Sequence, residues 1–159
     1  MPVRFRPIHG ILAIVLFVVV GLVAQLALAG RLGKSGFERV SPGPDRMVTI
    51  DVAKLAPLQV RFYRFLNSAN QEVKFFVGRD GGGTVQVAFD ANEICFKTKR
   101  GYKAQGEWLV CRKCDKAFRL SGVNNGKGGC EPVQVAHRLE GDRLLIAEQD
   151  ILAGWRYFR

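Results

Sequence analysis

The stretch from Gly10 to Gly30, GILAIVLFVVVGLVAQLALAG, carries no charge, and Gln25 is its only strongly polar side chain. A helix of that length rises roughly 31 Å, the thickness of a bilayer core. A helix on the surface of a soluble domain shows a polar stripe at helical spacing, and this one shows none. A transmembrane helix over 10–30 is therefore expected, preceded by a short tail at 1–9. Arg4 and Arg6 stand in front of it, and Ala27-Leu28-Ala29 has the small-x-small form of a cleavage site. The apolar run is longer than the core of a secretory signal peptide, so it reads as an uncleaved signal anchor. With so short a tail, the default orientation places everything after residue 30 outside the cytosol.

Charge bears on partners. Removing Arg4 and Arg6 from the 24 basic residues leaves 22 against 14 acidic ones, a net charge of +8 on the remainder. A basic domain tethered at a bilayer attracts anionic lipid headgroups or an acidic protein. Nucleic acid is the other reading of basic charge, and RFYRF (Arg61 to Phe65) interleaves arginine with aromatics. Strand alternation explains that stretch equally well, with Tyr63 and Phe65 facing one way and Phe62 and Arg64 the other. Behind an export signal, no nucleic-acid partner is expected.

Residues 31–46 contain SPGPD (Ser41 to Asp45) and read as a linker. An exported β domain is expected over 47–159. Met47 to Val52 and Leu58 to Leu66 are β-branched or aromatic runs separated by Pro57, and Gly81-Gly82-Gly83 turns a hairpin over 72–90. Gly106 to Cys111 is a further strand, and Gly141-Asp142 turns a last hairpin. The tail GWRYFR (Gly154 to Arg159) is aromatic and basic, suited to closing the sheet or touching the membrane surface. No run after residue 30 has a sustained helical repeat. The fold class is mainly β, a small sandwich or open barrel behind one transmembrane helix. Valine, isoleucine, leucine and eleven phenylalanines are enough for its core.

Four cysteines, Cys95, Cys111, Cys114 and Cys130, are spaced C-x15-C-x2-C-x15-C, each in an expected loop. Converging thiolates take soft or borderline ions: an iron–sulfur cluster, zinc or copper(I). Two disulfides are the alternative, since the number is even and the compartment oxidising. A thioredoxin-type dithiol is disfavoured by the lack of a βαβ context, and GVNNGKGG lacks P-loop spacing. Gly126, Gly128 and Gly129 before Cys130 allow the backbone to close over a centre, and CRKC reads best as a metal knuckle. Lys97, Lys99, Arg100, Arg112 and Lys113 crowd the same loops, either as a solvated face or as charges favouring thiolate. No Ser–His–Asp set or carboxylate pair argues for a hydrolase, a redox carrier or metal-binding accessory protein is expected rather than an enzyme, and His137 stands alone.

Cys95, fifteen residues, then C-x2-C is also similar to the two ligand loops of a Rieske domain, without the histidines. That layout implies an all-thiolate site on a Rieske-like β scaffold. The stretch from Val73 to Val133 resembles the FtrD-like membrane iron–sulfur family. The match lies in an acidic residue before the first cysteine pair, aromatic-x-x-x-[KR]-G-Y, the second C-x-x-C and G-G-C-x-P. The resemblance carries over Cys95, Cys111, Cys114 and Cys130. At the first cysteine of the family's first pair this chain has Asn92. The resemblance implies a bacterial inner-membrane protein with its domain in the periplasm. Its implied role is electron transfer or iron handling in high-affinity iron uptake, beside an iron permease or a periplasmic iron-binding or redox protein. The competing reading is a non-catalytic subunit of a transport complex, stapled by zinc or disulfides.

Overall fold

The computed structural model describes residues 17, 18, 20, 21, 36–125 and 128–159. The expected transmembrane segment 10–30 lies outside the described residues apart from four helical positions. Among the described residues no helix is long and apolar enough to cross a membrane. Gly36–Arg159 forms one compact unit, and it is mainly β.

Among the described residues ten strands fall into three sheets. The strands are β1 (Phe37–Val40), β2 (Met47–Asp51), β3 (Val60–Leu66), β4 (Glu72–Arg79), β5 (Val85–Phe89), β6 (Tyr102–Gln105), β7 (Trp108–Cys111), β8 (Ala117–Arg119), β9 (Arg138–Glu140) and β10 (Arg143–Ala147). A four-stranded sheet runs β1-β3-β4-β5, and the others run β2-β10-β9 and β6-β7-β8. The four-stranded sheet is the middle layer. Val73, Phe75 and Val77 of β4 point into one core with Val48, Ile50, Leu144 and Ile146 of β2 and β10. Phe76, between them in sequence, points into a second core with Tyr102, Leu109, Cys111, Leu120 and Val123. Alternation sends successive residues to opposite faces. A sheet covered on both faces therefore needs apolar residues at consecutive positions, which is why all five residues of β5 are buried.

Glycine at position 78 permits one close approach. A Cβ there would stand 2.8 Å from Leu120 Cδ1 and 3.1 Å from Val60 Cγ2. The 3-10 turn Leu120–Asn125 can therefore settle on the sheet.

Several expected elements are present, and others differ. The hairpins at Gly81–Gly83 and Gly141-Asp142 form as expected. Residues 37–40, inside the expected linker, instead form β1, which pairs parallel with β3. Phe37 drives this by packing edge-on against Phe62 at 5.5 Å. The tail after β10 is not a strand. It forms a short helix α1 (Glu148–Leu152) and a 3-10 turn Trp155–Tyr157. Ile151 and Tyr157 are buried in the first core, so the tail packs inward. Tyr63 and Phe65 of RFYRF are likewise core residues.

Candidate metal centre

Three loops meet at one end of the middle sheet. The first leaves β5 and carries Asp90, Asn92 and Cys95. The second is the tip of the β7–β8 hairpin, Cys111 to Lys116. It is closed by Cys111 N–H on the Lys116 carbonyl at 2.9 Å and by Asp115 N–H on the Cys111 carbonyl at 2.9 Å, with Asp115 left-handed at φ 57°. The third carries Cys130 and is tied along the edge of β5. Phe89 N–H donates to the Val133 carbonyl at 2.8 Å, Val133 N–H to Ala91 at 3.2 Å and Val135 N–H to Val87 at 3.1 Å. That edge pairing sets Cys130 beside the loop of Cys95. Gly128 and Gly129 approach at φ 72° and 73°, a backbone that side chains disfavour. Gly126 lies outside the described residues.

The sulfur atoms converge. The Sγ atoms of Cys95, Cys111 and Cys114 all lie within 4.8 Å of one another. Cys130 Sγ is 3.9 Å from Cys95 Sγ. All four are free thiols, with Cys111 buried, Cys95 and Cys130 half-buried and Cys114 exposed. Four thiolates at about 2.3 Å from one tetrahedral ion stand about 3.8 Å apart. The three mutually close thiols fit one soft or borderline cation, with the Cys130 thiol beside Cys95. Of the expected four-cysteine set, Cys95, Cys111 and Cys114 form the mutually close group, and Cys130 adjoins it at Cys95. His137 takes no part, its Nδ1 lying 2.8 Å from the Val135 carbonyl.

Crowding has an electrostatic consequence. Desolvation pushes the Cys95 thiol up to about 12, reinforced by the thiols of Cys130, Cys111 and Cys114. Sulfurs this close resist joint ionisation until a cation arrives to reverse the balance.

Three polar residues hold the loops in register. Asn92 is 2 % exposed. Its Oδ1 accepts from the backbone N–H of Ile94 and Cys95, and its Nδ2 donates to the Tyr102 hydroxyl at 2.8 Å and to Cys111 Sγ at 3.7 Å. The side chain at the departing position therefore points into the site. Tyr102 donates its hydroxyl hydrogen to the Cys130 carbonyl, and its own acidity is suppressed, first by burial. Asp90 Oδ1 accepts from Tyr102 N–H at 2.7 Å. Burial raises the Asp90 carboxyl to about 7, against the pull of that hydrogen bond and of Arg112 and Lys74.

Gly101, left-handed at φ 62°, makes room for Asp90, since a Cβ on it would fall 2.1 Å from Oδ2. The Gly-Tyr of the signature at 100–102 thus serves the carboxyl beneath it. Arg112 is a strut, with Nε on the Tyr102 carbonyl at 3.0 Å. Lys97, Lys99, Arg100 and Lys113 are exposed. A cavity of about 240 Å³ opens beside the thiols, and Asp90, Asn92, Cys95, Cys111, Lys99 and Lys113 form part of its wall.

No curated protein and no solved structure matches the chain. The family model described as membrane iron-sulfur containing protein FtrD-like matches residues 55–158, which include all three loops and every residue that joins them. The chain belongs to the FtrD-like family of membrane iron–sulfur containing proteins.

Proposed function

We propose that the thiolates of Cys95, Cys111, Cys114 and Cys130 hold an iron–sulfur centre, and that the protein is an electron-transfer or iron-handling component of iron uptake. The observation that carries this reading is the approach of three Sγ atoms to within 4.8 Å, with the fourth 3.9 Å from Cys95. When bound, the centre supplies one-electron chemistry. The chain's own residues gather the thiolates, exclude bulk water from Cys111 and leave Cys114 exposed as the face nearest a partner. This is the layout of a carrier.

In the same reading, residues 10–30 anchor the chain in the inner membrane and the β domain works on the periplasmic side. An iron permease or a periplasmic iron-binding or redox protein is its partner. The apolar run and the family's membrane character support the anchor. The use of successive loops at one sheet end supports a Rieske-like plan with thiolates in place of histidines.

One observation favours a second reading. Cys95 and Cys130 are close enough to be joined as a disulfide after a small shift, which would leave a stapled interaction module, and zinc would act as a similar staple. Anaerobic purification separates the readings. Visible absorption with bound iron is expected, and each of Cys95→Ser, Cys111→Ser, Cys114→Ser and Cys130→Ser should lose most of that iron. A colourless protein with no free thiols, or with stoichiometric zinc only, overturns the iron–sulfur reading. Full iron in Cys130→Ser reduces the ligand set to three.

A further inference from the structure

We propose that Asn92 is a positioning residue that sets the electron affinity of the cysteine centre, by donating an N–H to Cys111 Sγ while locking the three cysteine loops to one another. The proposal rests on the reading of the thiols as a metal centre.

The direction of every hydrogen bond at Asn92 is fixed by its neighbours. Oδ1 receives two backbone N–H groups, from Ile94 at 3.1 Å and from Cys95, so the amide oxygen faces the first loop. Tyr102 commits its only hydroxyl hydrogen to the Cys130 carbonyl, so its oxygen must accept from Nδ2. The second Nδ2 hydrogen is left for Cys111 Sγ, 3.7 Å away. All the donors and lone pairs that a buried amide offers are thereby used. One side chain touches the loop of Cys95 directly, the loop of Cys111 at its sulfur and the loop of Cys130 through Tyr102.

Cys111 is 1 % exposed. Bulk water therefore competes little with the Asn92 donor in the wild-type chain. A hydrogen bond to a ligating sulfur stabilises the more electron-rich, reduced form and raises the reduction potential.

The test uses the full chain reconstituted anaerobically with iron and inorganic sulfide and, separately, with cobalt(II). Asn92→Asp keeps an oxygen for the Ile94 and Cys95 N–H groups but turns a carboxylate oxygen towards Cys111. Its midpoint is expected to fall so that the ratio of reduced to oxidised centre at fixed potential drops at least tenfold, about 59 mV for one electron. Asn92→Ala removes the donor without adding charge, and a smaller fall in the same direction is expected. The thiolate-to-cobalt absorption should move to longer wavelength in both. Should Asn92→Asp not take up metal, Asn92→Ala decides the question alone. Wild-type midpoint and absorption in variants of full metal content overturn the proposal and leave the thiolate centre standing. A wild-type chain that takes up neither metal overturns both.

Discussion

Asp90 is a carboxyl whose environment prefers it neutral. Burial lifts it from an ordinary 3.8 to about 7. A proton is therefore held more tightly in the folded chain than in the unfolded one, and its contribution to stability is complete below about pH 4. Between about pH 4 and 7 the unfolded state has lost the proton while the folded state keeps it, so stability falls as pH rises and levels off above 7. The expected loss is on the order of a few kcal/mol. Asp90→Asn keeps an acceptor for Tyr102 N–H and cannot titrate. Denaturant unfolding of the two metal-free, reduced proteins at pH 4.5 and 8 should show the variant gaining on the wild type at the higher pH. An unchanged difference would mean that Asp90 ionises normally.

At this scale much of the site was legible and part was not. Cysteines at C-x15-C-x2-C-x15-C marked the candidate ligands because few other residues do what a thiolate does. Asn92, Asp90 and Tyr102 were visible only as letters of a family pattern. Asparagine, aspartate and tyrosine serve turns, caps and cores everywhere, and nothing in their spacing tells that they share one network. Asn92 drew notice as a departure from a cysteine, which marked the position and left its bonds unstated.

Among the elements, the sequence is clearest where hydrophobic runs are bounded by glycine turns, as at β4, β5 and the last hairpin. It is least clear for β1, whose four residues Phe37–Val40 carry two charges and gain their strand from the β3 edge and Phe62. Tertiary pairing overrode the proline-rich context next to them. The three cysteine loops are the elements with least regular pairing of their own, and a shared cation would tie them together. Chelation should accordingly speed amide hydrogen exchange in residues 90–101, 111–116 and 128–133, and leave β3 and β4 protected. Unaltered exchange in those loops would show that hydrogen bonds alone hold them.

For the molecule as a whole, charge is the property that reaches furthest. Gly36–Arg159 carries 20 basic and 14 acidic residues, a net charge of +6. Lys97, Lys99, Arg100, Arg112, Lys113 and Lys116 are all exposed within a few positions of a cysteine. A chain shortened to 36–159 should bind vesicles containing phosphatidylserine and release them as salt approaches ~0.5 M, where the screening length is about 4 Å. Retention at that salt in a co-sedimentation assay would point to apolar insertion instead.

The pairing of β2 with β10 joins Met47 to Ala147 and Asp51 to Arg143. A sheet that begins a domain and is completed by residues almost a hundred positions later cannot assemble until most of the chain is available. Closing so long a loop is slow, and mixed topologies of this kind fold far more slowly than local ones. Until that closure, the first core lacks one wall. Four thiols would then spend the early life of the molecule beside an incomplete core. A metal held by these thiols would arrive late, and the interval before it is when oxidation by mistake would compete with correct assembly.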